Sequence, residues 1–163
     1  MDRVASFKDQ LAGNPDVISA SMISGVPGQR MPFLTVALPD ATESSAEDAQ
    51  SFSGGFGMRV LSGDADMLKT LGVQFIEGRD FDKEIQLDEQ EAFIINQAAA
   101  DWLELKDPLN TKFTYLYNMD PPKEGKIIGV TEDFHYASLH SEVEPLMMHV
   151  YPHYNRYLGV RLQ

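Results

Sequence analysis

Short stretches in which apolar and polar residues alternate recur along the chain, and this pattern predicts β-strands. In residues 17–24 serine recurs at alternate positions, Ser19 and Ser21, and the Gly-Val-Pro-Gly sequence that follows ends the stretch. Alternating or continuously apolar stretches predict further strands at residues 33–38, 58–61, 73–76, 92–95, 112–117, 126–132, 147–151 and 157–162.

Three other segments have apolar residues at helical spacing together with helix start or stop signals. They are residues 2–12, ended by Gly13; residues 63–71, with Asp64 as a candidate cap and Gly72 as the stop; and a helix from the cap Asn96 to about Leu103. Helices and strands are interleaved without the regular alternation of a doubly wound sheet. The pattern therefore predicts an α+β fold with a mixed, mostly antiparallel sheet.

One segment, residues 40–53, has neither pattern. Ten of its fourteen residues are Asp, Glu, Ser, Thr or Gln. Such a segment buries little apolar area to offset the cost of ordering its backbone. It is predicted to be a mobile loop.

Charge and composition exclude several classes of function. The chain has 25 acidic and 13 basic residues, a formal charge of −12, and no cluster of Lys and Arg, so nucleic acid and anionic membrane surfaces are unfavourable partners. It has no cysteine, which excludes disulfides, thiol nucleophiles and thiolate zinc sites. It shows neither a signal peptide nor the ~20 consecutive apolar residues of a membrane span. Taken alone it would be expected in the cytosol, an expectation that does not apply to a piece of a membrane protein.

The four histidines, His135, His140, His149 and His153, are the first candidates for catalysis or metal binding. Asp133 stands two residues before His135, which would suit a hydrolase. His149 and His153 are four residues apart, but the intervening proline prevents the helix that would align them as ligands. Surface or interface histidines and no metal site are expected.

No nucleophile or phosphate-binding motif appears. The Gly-x-Ser-x-Gly turn of serine hydrolases is absent. The glycines of residues 53–57 (Ser-Gly-Gly-Phe-Gly) are not followed by the Lys-Ser/Thr of a phosphate loop, and glycines before a strand usually mark a bulge or turn. We therefore predict no catalytic, cofactor-binding or metal-binding residues, and no enzyme activity.

Four stretches occur in an order and spacing that cover nearly the whole chain. They are residues 14–21 with 26–28, residues 63–73 running into 77–81, residues 92–100 with 107–109, and residues 127–135 with 138–140 and 144–146. Together they resemble the extracytoplasmic core domain of MacB/FtsX-like ABC transporter permeases, especially the long permeases of Bacteroidetes-type bacteria. Arg79 and Asp80, within the second stretch, are expected to fix a turn as a pair.

The resemblance implies that the parent protein lies in the inner membrane and that this domain lies outside it, between two transmembrane helices of its own chain. A cytoplasmic ABC ATPase subunit would hydrolyse ATP, and its motion would reach the domain through those helices and drive export or mechanotransmission in the cell envelope. An envelope adaptor or a lipoprotein is a further expected partner. The family has a porter-type lobe of helix and sheet, expected here at 1–28 and 125–163, with an inserted β-rich lobe expected at 29–124.

The porter topology of these permeases also implies that the strand at 17–24 pairs antiparallel with the strand at 157–162. In the parent protein, strands connected to the membrane helices would occupy the outer edge of this pair, and in this piece alone that edge is expected either to form a homodimer or to fray. A periplasmic ligand-binding sensor domain remains the alternative, and it would require a defined apolar pocket. A hydrolase that uses Asp133 and His135 is a third hypothesis.

Overall fold

The computed structural model of the chain describes residues 2–26, 28–29, 31–37, 56–115, 123–137, 142–151 and 155–163. The helices of these residues are α1 Asp2–Ala12, α2 Met67–Leu71, α3 Gln86–Glu91 and α4 Gln97–Trp102, with a 3-10 turn at Pro108–Asn110. The strands are β1 Val17–Ile23, β2 Phe33–Ala37, β3 Phe56–Gly63, β4 Phe75–Gly78, β5 Ala92–Asn96, β6 Lys112–Tyr115, β7 Lys123–Thr131, β8 Leu146–Val150 and β9 Tyr157–Leu162. Residues 40–53, predicted to be mobile, lie outside the described residues.

All nine strands belong to one sheet, with the order β2-β6-β7-β5-β8-β3-β1-β9 and with β4 paired to β7. Because β2 pairs with β3 as well as with β6, six of the strands form a closed ring of hydrogen-bonded neighbours. Seven of the nine pairings between described strands are antiparallel, and two, β3–β8 and β5–β7, are parallel. The predicted α+β fold with a mixed, mostly antiparallel sheet is confirmed.

The interior of the ring is filled by side chains, as expected for so few strands. Every ring strand contributes to one buried cluster, the inner cluster, and α4 adds its two buried alanines. The inner cluster consists of Val36, Met58, Val60, Phe93, Ile95, Ala99, Ala100, Phe113, Ile127, Val130 and Met147. Phe93 and Phe113 meet edge to face with their ring centroids 6.1 Å apart.

A second buried cluster, the outer cluster, lies on the other face of four of these strands, β3, β5, β7 and β8. Alternation along each strand explains this arrangement: in β5, Phe93 and Ile95 belong to the inner cluster, whereas Ala92 and Ile94 belong to the outer one. Helix α2 covers part of the outer cluster with Met67 and Leu68, which are both fully buried. Strands β5 and β8 are consequently buried on both faces, and this explains their nearly continuous apolar sequences.

The predicted strands all appear, with ends shifted by up to three residues. The helix predicted at 63–71 is shorter than expected and begins at Met67. Helix α3 was not predicted, because its six residues carry too little periodicity to be recognised. Strands from the predicted porter-type lobe (1–28 and 125–163) and from the predicted inserted lobe (29–124) lie in the same sheet. The division into two lobes stays a prediction. Among the described residues, no helix is long and apolar enough to cross a membrane.

Candidate functional site

The two ends of the described chain meet on one side of the fold. Strands β1 and β9 pair antiparallel from Val17 opposite Leu162 to Ile23 opposite Tyr157. Beyond the strands, Gln163 donates its backbone N–H to the carbonyl of Asp16 at 3.0 Å. The pairing expected from the permease resemblance is therefore confirmed. We call the unit formed by α1, β1, β9 and α2 the terminal junction.

Asp64, directly after β3, holds the terminal junction together. Its Oδ2 accepts hydrogen bonds from Lys8 Nζ on α1 at 2.6 Å and from the backbone N–H of Met22 at 3.0 Å. Its Oδ1 accepts from Ser21 Oγ at 2.7 Å and from the N–H of Asp66 at 3.1 Å. The expected role of Asp64 as a helix cap is therefore wrong. The residue at the cap position is Asp66, and the Asp64 carboxylate instead joins α1, β1 and the start of α2.

Lys8 is positioned between two carboxylates, since its ammonium also lies 3.0 Å from Oδ2 of Asp66. Burial by itself lowers the pKa of Lys8, but the hydrogen bonds and negative charges of Asp64 and Asp66 outweigh it and raise the pKa above its ordinary value. Lys8 therefore keeps its charge throughout the physiological range, and α1 stays tied to the sheet by a charge-assisted contact.

Helix α2 makes further contacts with the strand pair. Thr70 and Ser19 share a hydrogen bond between their hydroxyls at 2.8 Å. Arg161 on β9 donates to the carbonyl of Lys69 at 3.4 Å. The helix ends at Gly72, which has a φ of 72°, as the sequence predicted. The positive φ is what favours glycine at Gly72, since a Cβ there would meet only the movable guanidinium end of the Arg161 side chain.

A second polar centre is Asn96, which is fully buried between β5 and α4. Its Oδ1 caps α4 by accepting from the N–H of Ala99 at 3.1 Å, which confirms the cap predicted from sequence. The same oxygen accepts from the N–H of Leu146 at 2.8 Å, and Nδ2 donates to the carbonyl of Glu144 at 3.1 Å. One side chain thus caps a helix and fixes the entry into β8.

Glu144 is also the partner of Arg59 on β3. Arg59 Nε lies 2.5 Å from Glu144 Oε2, and Nη1 donates to the carbonyl of Met31 at 3.1 Å. The Arg59 guanidinium also lies over the ring of Phe33, 5.1 Å from its centroid. The hydrogen bond to Glu144 raises the pKa of Arg59 above its usual value.

Tyr136 contacts the backbone of two other segments of the chain. Its hydroxyl donates to the carbonyl of Glu144 at 3.1 Å, and its own carbonyl accepts from the N–H of Gly28 at 3.0 Å. Burial, followed by the nearby charge of Glu144, raises the pKa of Tyr136 to about 12. The phenol therefore stays protonated. The two hydrogen bonds of Tyr136 link the connection before β2 to the connection before β8.

Arg79, expected to pair with Asp80, has a different carboxylate partner. Its guanidinium binds Asp88 on α3 through two parallel hydrogen bonds of 2.5 and 2.8 Å. Asp88 is buried and also accepts from the N–H of Asp82 at 2.8 Å. Toward Asp80, Arg79 donates only to the backbone carbonyl. The turn is therefore fixed from α3, a helix that the sequence did not reveal.

The histidines differ in their environments. His149 is buried on β8, so the expectation that it lies at a surface is wrong. Its ring stacks on Tyr151 with the centroids 5.8 Å apart. His135 is exposed, whereas Asp133 accepts from the N–H of Ala98 at 2.9 Å at the start of α4. Because the Asp133 carboxylate binds the N–H of Ala98, the contact argues against the hypothesis of a hydrolase that uses Asp133 and His135. His140 and His153 lie outside the described residues.

The remaining candidate sites show no ligand-binding geometry in the described part of the chain. Of the glycine-rich residues 53–57, Phe56 and Gly57 belong to β3, a strand and not the helix N-terminus of a phosphate loop, and residues 53–55 lie outside the described residues. The described residues contain no group of three His, Asp or Glu side chains that could hold a metal. A surface depression is lined by one face of α1, namely Arg3, Ser6, Phe7 and Gln10. It is open to solvent, unlike the defined apolar pocket that a sensor would need.

Three solved structures have the same fold over almost the whole chain. A domain of a permease protein from Porphyromonas gingivalis is 18% identical, covers 96% of this chain, and superposes with a TM-score of 0.58. The fold is that of ABC transporter permease domains outside the membrane. The periplasmic region of MacB from Actinobacillus actinomycetemcomitans is 9% identical over 98% of this chain, with a TM-score of 0.56. The extracellular domain of the noncanonic ABC-type transporter YknZ from Gram-positive bacteria is 14% identical over 97%, also with a TM-score of 0.56.

The resemblance seen in the sequence is thus confirmed at the level of the fold. The chain spans 66% of the Porphyromonas structure, 64% of the MacB region and 72% of the YknZ domain. No protein-family model matches the chain, and no curated protein matches it. The periplasmic and extracellular locations and the transporter names belong to those three proteins.

Proposed function

We propose that this chain is a non-catalytic, extracytoplasmic domain of an ABC transporter permease. The observation that supports this function best is the fold shared with three such domains over 96–98% of the chain. In the proposed parent protein, a cytoplasmic ATPase subunit hydrolyses ATP and the permease's own transmembrane helices pass the resulting motion to this domain. The parent lies in the inner membrane, with an envelope adaptor or a lipoprotein as its outer partner.

The terminal junction supports a mechanical role. A force applied through α1 passes to Asp64 through Lys8, and from Asp64 to β1 and α2. A force applied at the end of β9 passes to the same β1 through the six-residue pairing. Both routes lead into β3 and the closed ring, whose interior is close-packed and so transmits displacement. In this proposal residues 1–28 and 125–163 form the porter-type lobe and 29–124 the inserted lobe.

The location is tested with single cysteines in the full-length permease, freed of any other cysteine. The 163 residues described in this article contain no cysteine. Cysteine at Asp9, which is exposed on α1, should react with a membrane-impermeant maleimide in spheroplasts with intact membranes. Cysteine at Ala100, which is buried in the inner cluster, is the matched control and should react only after denaturation. Labelling at residue 9 only after the membrane is broken would contradict an extracytoplasmic location.

The coupling is tested by distance measurement between two spin labels in the permease–ATPase complex. One label is placed at residue 132, which is exposed after β7, and the other in a transmembrane helix of the parent permease, because two labels within one close-packed domain would keep their distance if it moved as a unit. If motion reaches the domain, trapping the ATPase with ATP and vanadate should change the distance distribution between these labels. The same complex with a hydrolysis-deficient ATPase and no nucleotide is the reference. An unchanged distribution would contradict mechanical coupling and would leave the location result standing.

The absence of nucleotide binding is tested on the domain itself. Millimolar Mg-ATP should leave its melting temperature unchanged, because only a ligand that binds the native state raises it. An increase of several degrees would contradict the proposal.

A further inference from the structure

The end of helix α4 departs from three rules that favour stability. Glu104, two residues past the helix, has a φ of 51° and is the only non-glycine residue with a positive φ in the described part of the chain. Glycine is the residue that adopts this conformation without steric cost. Asp101 and Glu104 place negative charge at the negative end of the helix dipole, and the last turn contains no basic residue. Trp102, the only tryptophan of the chain, is 38% exposed, although burial is what makes a large aromatic side chain stabilising.

The same helix end is held firmly in place. The N–H of Leu105 donates to the carbonyl of Ala100, and the N–H of Glu104 donates to the carbonyl of Asp101, both at 3.0 Å. This pair of hydrogen bonds is that of a Schellman turn. Leu103 and Leu105 pack against the inner cluster. Glu104 is therefore exposed between two anchored leucines, in a conformation that the turn imposes on it.

Natural proteins depart from such rules mainly at functional sites, where a residue is kept for what it binds. Three departures coincide at this one exposed turn, far along the chain from either end of the sequence. We propose that Asp101, Trp102 and Glu104, the α4 tip, form a docking surface for an arginine-bearing segment of another protein. This inference does not depend on the proposed transport function.

Arginine matches the chemistry of the α4 tip in two ways. A guanidinium stacks on the face of an indole, which is the best aromatic partner for a cation. Its planar N–H donors also bind a carboxylate through two parallel hydrogen bonds, and Glu104 carries a carboxylate two residues from Trp102. Asp101 accepts a hydrogen bond from Gln97 at 2.6 Å and adds negative charge. Residues 97–107 contain three acidic residues and one lysine, so the local charge also favours a cationic segment.

The fluorescence of Trp102 reports on the α4 tip directly, since the chain has no other tryptophan. The probe is a hexa-arginine peptide with both ends blocked. At low salt it should change the Trp102 emission saturably, and added salt should weaken the effect by screening. Hexa-citrulline, which has nearly the same shape without the charge, should leave the emission unchanged. The absence of a saturable change with hexa-arginine at millimolar concentration would overturn the proposal.

Two comparisons separate this site from general attraction to a chain with a formal charge of −12. Glu104→Gln should weaken the binding of hexa-arginine about threefold, the effect of one exposed ion pair. Glu84→Gln is the matched control, since it removes the same charge from an exposed residue before α3 and should leave the affinity nearly unchanged. Hexa-lysine should bind about threefold more weakly than hexa-arginine, because an ammonium stacks on indole less well and lacks the planar donors. Equal weakening by the two substitutions, or equal affinity for the two peptides, would overturn the proposal.

Glu104→Gly tests whether stability is given up for binding at this residue. Glycine adopts the positive φ freely and removes a negative charge from the helix end, so the melting temperature should rise by about 2–4 °C. The same variant should bind hexa-arginine as weakly as Glu104→Gln does. Thermal unfolding followed by circular dichroism and the Trp102 titration measure the two effects. A lower melting temperature would show that Glu104 serves the fold, and a stabilised variant with unchanged affinity would show that it does not serve binding; either result would overturn the proposal.

Discussion

Lys8 on α1 and Asp64 after β3, 56 residues apart in sequence, meet at 2.6 Å. The contact is more than a surface ion pair, because the Asp64 carboxylate also accepts hydrogen bonds from Ser21 and from the backbone of Met22 and Asp66. Ser21 is fully buried. Removal of Asp64 would therefore leave a buried hydroxyl and two backbone N–H groups to find other partners.

The first prediction compares Asp64→Ala with Asp66→Ala. Loss of the Asp64 carboxylate should lower the free energy of unfolding by about 2–3 kcal/mol, the range for hydrogen bonds to a charged group that leave buried donors behind. Asp66 shares Lys8 but has a side chain that is 42% exposed, so its loss should cost less than about 1 kcal/mol. Urea unfolding of the two variants measures the difference. Equal losses would show that Asp64 acts only as a partner of Lys8.

The second prediction concerns Asn96. Asn96→Ala removes a helix cap and the acceptor of the Leu146 N–H, and it leaves the Glu144 carbonyl without this donor. A lost cap costs about 1 kcal/mol and a buried unsatisfied donor a further 1–3 kcal/mol, so a total loss of about 3 kcal/mol is expected. Gln97→Ala, at the next residue, is the control and should cost less than about 0.5 kcal/mol. Guanidinium unfolding measures both. A similar loss for the two variants would contradict the role given to Asn96.

The third prediction separates conformational strain from steric contact at two glycines. Gly78 and Gly28 both have a positive φ, 77° and 92°. A Cβ at Gly78 would collide with the backbone carbonyl of Ile128, whereas a Cβ at Gly28 would meet nothing within 4 Å. Gly28→Ala should therefore cost only the strain, about 1 kcal/mol, and Gly78→Ala should cost about 3 kcal/mol or prevent folding. Thermal unfolding followed by circular dichroism measures both. Equal effects would mean that the backbone at Ile128 moves aside.

The fourth prediction concerns the pH dependence of stability at Asp80. Burial, together with the negative charges of Asp66 and Asp88, raises the pKa of Asp80 to about 6 in the folded chain, against 3.8 ordinarily. Between these two values the folded state binds more protons than the unfolded state, so this residue lowers stability as pH rises from about 4 to above 6. Asp80→Asn should therefore be more stable than the unaltered chain at pH 8, by about 1 kcal/mol after allowance for solvent screening.

At pH 4 the two chains should be equally stable, because Asp80 is then largely protonated when folded. Urea unfolding at pH 4, 6 and 8 provides the measurement, and pH 4 serves as the internal reference. A constant difference at all three values would mean that the titration of Asp80 is not responsible.

Local sequence patterns predicted those features of this protein that depend on neighbouring residues. Alternation located the strands, and Asn96 and Gly72 were recognised as a helix cap and a helix stop because both act within one helical turn. The order of four short stretches also indicated the permease-domain fold, and with it the pairing of β1 with β9. The unpredicted helix α3 shows the limit of this approach, since six residues are too few to establish a helical period.

The tertiary structure alone decided which charged and polar groups meet. Arg59 and Glu144 are 85 residues apart, and Asn96 binds the chain 48 and 50 residues further on. With 25 acidic residues available to 13 basic ones, no spacing selects one pair, and closure of the strand ring brings these groups together. His149 is buried within this ring, whereas Asp64 links α1, β1 and α2 because these elements, which lie outside the ring, pack together where β1 pairs with the end of β3. Periodicity is a local property of the chain, whereas these contacts arise only when distant strands pair.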